Sequence, residues 1–235
     1  MTVEMPLPPV GTEALDTRDF DTELAEVTLR EIAMTNTLFG GHAALKYGLR
    51  AITRNVAVTR PLTVLDVGAG DGQASERARR AIGAGRTRVV GLDHHLSAAK
   101  LCQQRPVLPV VGDMWDVPLG RGSVDIVIMS LVLHHVTRED AVRLIAALDR
   151  VATLGVVISD LRRSAMATAG FAIASRALRF HEVTRHDGQV SIQRGFTEHE
   201  LGDLIRRAGV SNATVRRRLG WRLVAYWKKV DAHAR

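Results

Sequence analysis

The stretch Val64-Leu65-Asp66-Val67-Gly68-Ala69-Gly70-Asp71-Gly72 limits what this chain can fold into more than any other. An apolar run reaches an acid, and glycines then stand at every second position. That pattern reads as a buried strand running into a tight turn. Glycine lets the backbone take positive φ and lets a ligand approach main-chain N–H groups with no Cβ in the way. A helix starting near Gln73 would point its free N–H groups and positive dipole end at the turn, which favours an anionic ligand group. A dinucleotide fingerprint, G-x-G-x-x-G, would need a third glycine where this chain has Gln73. A shorter turn of this kind suits one small anion rather than a pyrophosphate.

Downstream, strand and helix patterns alternate. Apolar runs over 63–67, 88–93, 107–111, 123–131 and 156–159 read as five strands, with helices expected over 75–82, 96–103 and behind the T-x-x-D cap of Thr137 and Asp140. Five such alternations predict an α/β fold, a parallel sheet with helices on both faces. Ligands of such sheets bind at the carboxyl ends of the strands, where the order reverses. Asp66, Asp93, Asp113, Ser130 and Asp160 all fall at those ends. Upstream, helices are expected from Phe20 to about Met34 and over 42–54, with Gly40-Gly41 as the stop and turn between them. This divides the chain into an arm and N-terminal helical cap, residues 1–60, and a ligand-binding domain, residues 61–235. Residues 165–180 are small and apolar and read as an added helix that could wall an apolar pocket. Residues 184–188, Thr-Arg-His-Asp-Gly, read as a polar turn, Thr197 to Glu200 as a capping box, and 213–219 with 221–228 as a terminal antiparallel pair around Gly220.

The D-x-G-x-G-x-G form from Asp66 to Gly72 resembles the class I S-adenosylmethionine-dependent methyltransferases. Leu133-His134-His135-Val136 after the fourth strand is similar to small-molecule members, including those of quinone biosynthesis. Ser159-Asp160-Leu161-Arg162-Arg163-Ser164 with Thr184-Arg185-His186-Asp187 looks like methyltransferases associated with type III polyketide synthases. The resemblance implies a Rossmann-like class I fold, a mostly parallel seven-stranded sheet that ends in a hairpin. It also implies S-adenosylmethionine held by Asp66, Gly68, Ala69, Gly70, Gly72, Asp93, His94, Gly112, Asp113, Met114 and Ser130. Asp93 would accept the ribose hydroxyls, Asp113 would meet the adenine amino group, and Met114 would pack on the ring.

Methyl transfer needs two partners held close, aligned and dry, and a phenolic acceptor with a pKa near 10 benefits from a base. Histidine is the side chain whose ordinary pKa lies nearest neutrality, so His135, His134 and His186, in that order, are the candidate bases. At most one of the adjacent pair is expected to line a pocket. Neither a helical His-x-x-x-His nor a cysteine cluster accompanies them, so no metal site is expected. Arg162, Arg163 and Arg185 are candidates to pair with a substrate carboxylate or phenolate, or to be held by Asp160 and Asp187.

Charge tests the alternatives. The net charge is +7, but residues 1–26 carry seven acids and one base, and residues 205–235 carry nine bases against Asp231. A basic end of this kind is more often a solvated face than a nucleic-acid surface. Methylators of base amino groups usually carry an N-P-P-Y-like tetrad where this chain has Ser130-Leu131-Val132-Leu133, which argues against a nucleic-acid acceptor. Cys102 is the only cysteine, and no apolar run approaches the roughly 20 residues of a membrane span. The expectation is a cytoplasmic enzyme that O-methylates a small hydrophobic, phenolic or polyketide-like substrate. A carbon methyltransferase of a quinone precursor is the close alternative, and a non-catalytic cofactor-binding protein the distant one. A homodimer is compatible with the chain.

Overall fold

The computed structural model describes residues 22–57, 59–117 and 119–229; the acidic stretch 1–18 and Phe20 lie outside them. Seven strands form one sheet in the order β3-β2-β1-β4-β5-β7-β6. β1 (Leu62–Val67), β2 (Thr87–Asp93), β3 (Leu108–Val111), β4 (Val124–Ser130) and β5 (Ala152–Leu161) run parallel. β7 (Arg222–Lys228) enters antiparallel between β5 and β6 (Thr214–Arg218). The alternation of strand and helix foretold the parallel part, and the expected terminal hairpin supplies the rest.

Alternating residues serve two apolar layers. Val64, Ile126, Ile128, Val157 and Val224 face one side, where α2 (Gly41–Thr53) and α3 (Gln73–Ile82) pack. Leu65, Val67, Val127, Met129, Val156 and Ile158 face the other, against α5 (Arg138–Val151) and α8 (Glu198–Arg207). Strands buried on both faces have to be apolar at every position, which is why β4 reads as a continuous run rather than an alternating one. α2 buries Ala44, Leu45, Leu49 and Ile52 at helical spacing. It is therefore a layer of the sandwich, in contact with β5 and β7, and α1 (Thr22–Leu38) covers the site beyond it, touching α2, α4 (Leu96–Cys102) and α7 (Glu182–Arg194).

Two expectations need correction. The 184–188 segment is not a turn but part of α7. His181 caps this helix, its Nδ1 accepting the Val183 N–H at 3.3 Å. Gly188 is a packing position: a Cβ there would lie 2.3 Å from the ring of Phe171 on α6 (Ala165–Ala177). A glycine chosen for close helix approach looks the same in sequence as one chosen for a turn. The fifth strand is also longer than 156–159, because pairing with β4 and β7 draws in flanking residues, Asp160 and Leu161 included.

Candidate active site

β1 delivers the chain into Gly68, Gly70 and Gly72 at φ 71°, 54° and 77°, after which α3 begins. All three lie in the left-handed region that favours glycine. The N–H groups of Gly68 and Ala69 donate to Leu92 O at 2.8 and 3.0 Å, which holds the turn against β2. Arg105 braces it from outside, donating to Asp71 Oδ2 at 2.9 Å and Glu76 Oε2 at 2.7 Å. A Cβ on Gly70 would meet only Leu29 of α1, at 3.8 Å, so this turn keeps a space that a side chain would fill.

Asp93 ends β2 beside the turn. Its Oδ2 accepts the Gly70 N–H at 2.8 Å and its Oδ1 the His95 N–H at 3.0 Å. Each oxygen keeps a lone pair, so the carboxylate is aimed by backbone donors and can still accept hydroxyls. His94 next to it is exposed, with Nδ1 3.7 Å from Asp93 Oδ1. Asp66 is fully buried below the turn. Ser75 donates to its Oδ2 at 2.6 Å, while Oδ1 has no partner. Burial pushes the Asp66 carboxyl up to about 7, against the Ser75 hydrogen bond and with help from the charges of Asp93 and Asp71.

Beyond β3, Gly112 donates its N–H to Asp93 O at 2.9 Å. Asp113 is exposed and accepts the Trp115 N–H at 3.0 Å, and Met114 packs against the core. Ser130 ends β4 opposite Ser159, and the chain then passes through Leu131 at φ 58°. A left-handed leucine is strained backbone, of the kind found where a site fixes the chain. Val132 follows and packs onto the glycine turn, with its Cγ2 2.3 Å from where a Gly68 Cβ would stand. The residues proposed from sequence for the cofactor thus gather along the carboxyl ends of β1, β2, β3 and β4, about the switch point where the strand order reverses between β1 and β4.

The three histidines go to different places. His134 is buried, with Nδ1 2.7 Å from Asp160 Oδ1, which also accepts the Leu161 N–H at 2.7 Å. Burial alone would push Asp160 up, but the charge and hydrogen bond of His134, with the Leu161 N–H, hold it below the usual carboxylate range. His135 is half-buried, its ring 4.2 Å from that of His134. His186 is exposed on α7, with Nδ1 3.1 Å from Oδ1 of the buried Asp187.

A cavity opens between α1, α7 and the ends of β4, β5 and β7, and none of these histidines lines it. Its wall is formed by apolar side chains such as Ile32, Leu131 and Phe171, with Thr28, Thr35, Thr184, Asp187, Ser191 and Arg222 as the polar points. An adjoining lobe shares Leu161, Phe171 and Arg222 and reaches Trp221. α1 touches both regions, with Leu29 over the glycine turn and Thr28 in the cavity wall. Of the arginines named from sequence, Arg163 pairs with Glu200, and neither Arg162 nor Arg185 is among the lining residues. Arg222 and Thr28 were missed. Thr28 stands between Leu24 and Ile32 at i+4 spacing, a polar residue in the apolar stripe of α1, and Arg222 opens the apolar run Leu223 to Trp227. Both breaks in pattern are visible in the sequence.

Among the described residues, no cluster of three or more His, Cys, Asp or Glu side chains could hold a metal, and no helix is long and apolar enough to cross a membrane. Residues 64–155 match the family model of a methyltransferase domain. The strand order, the glycine turn and this match make the chain similar to the class I methyltransferases, whose cofactor is S-adenosylmethionine. No curated protein matches the chain at a significant level. Solved structures do. A plantazolicin methyltransferase in complex with S-adenosylhomocysteine superposes with a TM-score of 0.66 at 12% identity, covering 92% of each chain. A magnesium protoporphyrin IX methyltransferase from Synechocystis gives 0.61 at 14%, covering 95% of this chain and 100% of that one. A SAM-dependent methyltransferase from Aquifex aeolicus gives 0.60 at 16%, covering 90% and 100%. At such identities these likenesses speak for the fold.

The site fits this cofactor on its own geometry. The turn leaves open space at Gly70, Asp93 is oriented with acceptor capacity in hand, and the buried Asp66 Oδ1 lacks the donor that an ammonium group would bring.

Proposed function

We propose that the enzyme methylates an oxygen of a small, largely apolar phenolic or polyketide-like acceptor held in the cavity beneath α1. The observation that carries this reading is the cavity itself. Its wall is apolar with a few polar points, the make-up of a small-molecule site. The segment after β4 joins it to the glycine turn: Leu131 lines the cavity and Val132 packs on Gly68.

When bound, S-adenosylmethionine supplies an electrophilic methyl group on a sulfonium centre. Asp66, Gly68, Ala69, Gly70, Gly72 and Asp93 would hold it, with Gly112, Asp113, Met114, His94 and Ser130 around its far end. The protein then has to seat the acceptor oxygen in line, exclude water and take up the hydroxyl proton as the O–CH3 bond forms. Asp187 is the carboxylate of the cavity wall, and its hydrogen-bonded neighbour His186 stands in solvent. The pair provides a route by which the acceptor proton leaves the cavity through Asp187 and reaches water through His186. His134 and Asp160 fix the segment from which Leu131 enters the cavity, a positioning role, and His135 stacks on that pair.

Incubating the full-length protein with methyl-labelled S-adenosylmethionine and a panel of alkylresorcinols, hydroxybenzoates and hydroxyquinones, followed by mass spectrometry of the product, tests the reading. An O-methyl product is expected. A C-methyl product would replace the proposal with carbon methylation of the same acceptor class. Asp187→Asn is expected to lower kcat by about 100-fold, the lower range for loss of a general base, with the KM for the cofactor unchanged.

A further inference from the structure

Among the described residues, the cavity wall holds a cation, Arg222, that forms no ion pair. Arg222 is 1% exposed and lines both lobes. Its Nε donates to Phe39 O at 3.3 Å, and its Nη1 has no partner. Among the described residues, Asp160 is the carboxylate whose charge acts on it, and burial still pulls the guanidinium down to about 10. The two are not bonded. Asp160 Oδ1 is used by His134 and Leu161, and its Oδ2 has no partner. An ion pair between them would have satisfied both orphan atoms. Thr28 and Thr184, also in the wall and at most 3% exposed, have hydroxyl oxygens without partners. Three buried polar groups from α1, α7 and β7 thus converge on one apolar space. Buried polar atoms are normally paired, and a buried guanidinium nearly always. A set left unpaired around a cavity is what a bound ligand would complete.

We propose that the acceptor carries an oxyanion, a carboxylate or an ionised phenol or enol, that seats on Arg222 with Thr28 and Thr184 as further hydrogen-bond donors. The planar fork of arginine matches such an oxygen pair, and the low-dielectric wall strengthens the contact. The apolar body of the acceptor lies against Leu131, Leu161 and Phe171. Asp187 shares the wall from α7 and turns an anion away from its own side, which orients the acceptor with its oxyanion toward β7 and its hydroxyl toward α7. This rests on the cavity being the acceptor site.

The test uses the full chain saturated with S-adenosylhomocysteine and calorimetric titration with 1-naphthoate, its neutral counterpart 1-naphthamide, and 2,4-dinitrophenolate. The expected result is binding of an anion at least tenfold tighter than of the amide, with naphthoate or dinitrophenolate alone showing which oxyanion fits. Arg222→Met is expected to remove that preference while leaving S-adenosylhomocysteine affinity and amide binding in place. Its thermal midpoint is expected to be no lower than the parent's, since it deletes an uncompensated buried charge. Arg222→Lys, should the methionine variant fail to fold, is expected to keep a weakened preference. Equal binding of naphthoate and amide, or a preference that survives Arg222→Met, overturns the oxyanion assignment. Thr35→Trp, which fills the space shared by both lobes, separates this from failure of the underlying reading. If the probes bind that variant as they bind the parent, or fail to bind the parent at all, the cavity is not the acceptor site and both proposals fall.

Discussion

Asp93 and Asp66 are a pair of carboxylates with opposite situations. Asp93 is aimed by two backbone N–H groups and keeps acceptor capacity toward the glycine turn. Asp93→Ala is expected to weaken S-adenosylhomocysteine binding by 100-fold or more, about 3 kcal/mol, with an unchanged circular dichroism spectrum; unchanged affinity would remove Asp93 from the site. Asp66 has been taken out of water without full compensation. Its carboxyl titrates near 7 in the folded chain and near 3.9 when unfolded. Because the folded value is raised, the stability tied to its proton is present in full below pH 4 and is lost as pH rises through 7. The loss amounts to about 4 kcal/mol. Urea unfolding of the cofactor-free protein between pH 4 and 8 is expected to show this decline, and Asp66→Asn to flatten it. A cationic ligand beside Asp66 favours the carboxylate. Cofactor binding near pH 6.5 is therefore expected to release a proton, measured by calorimetry in buffers of different ionisation enthalpy. An equal heat in every buffer would contradict that.

At the level of elements, α1 and β7 are brought together by two turns. Gly40 and Gly220 both sit at φ 72°, and a Cβ on Gly220 would stand 2.0 Å from Phe39 O. The α1–α2 turn is thus seated on the β6–β7 turn, so Thr28 and Arg222 reach one cavity from segments nearly 200 residues apart. The sequence marked Gly40-Gly41 and Gly220 as turns, but nothing local records that the two touch. Gly220→Ala is expected to cost more than 1 kcal/mol in urea unfolding, from the backbone conformation and the collision together. It should also weaken acceptor-site binding more than cofactor binding. An equal loss in both would show that the docked turns do not shape the cavity. The hairpin also accounts for part of the basic C-terminal segment. Arg216, Arg217 and Arg218 lie along the edge strand β6, where charge opposes edge-to-edge pairing. Arg217 meets Glu198 at 2.9 Å, and Arg218 lies over the Tyr47 ring at 4.1 Å.

Across the molecule, what was legible followed from periodicity and from short-range geometry. Four buried strands and the edge strand β3, the glycine turn and Asp93 each announce themselves within a dozen residues, because a parallel sheet and a phi-positive turn restrict residue types locally. The cavity was not legible in the same way. Its polar points come from α1, α7 and β7, and a lone threonine or arginine has no meaning until the sheet places it. The histidine pair illustrates the difference: it follows β4 as read from the sequence, but His134 turns to Asp160 and neither ring lines the cavity. The central claim is that the turn from Asp66 to Gly72, together with Asp93, holds S-adenosylmethionine. Calorimetric titration of the purified protein with S-adenosylmethionine, and in parallel with NAD, tests it most directly. The account predicts micromolar binding of the first and no heat from the second; binding of NAD alone, or of neither, would contradict it.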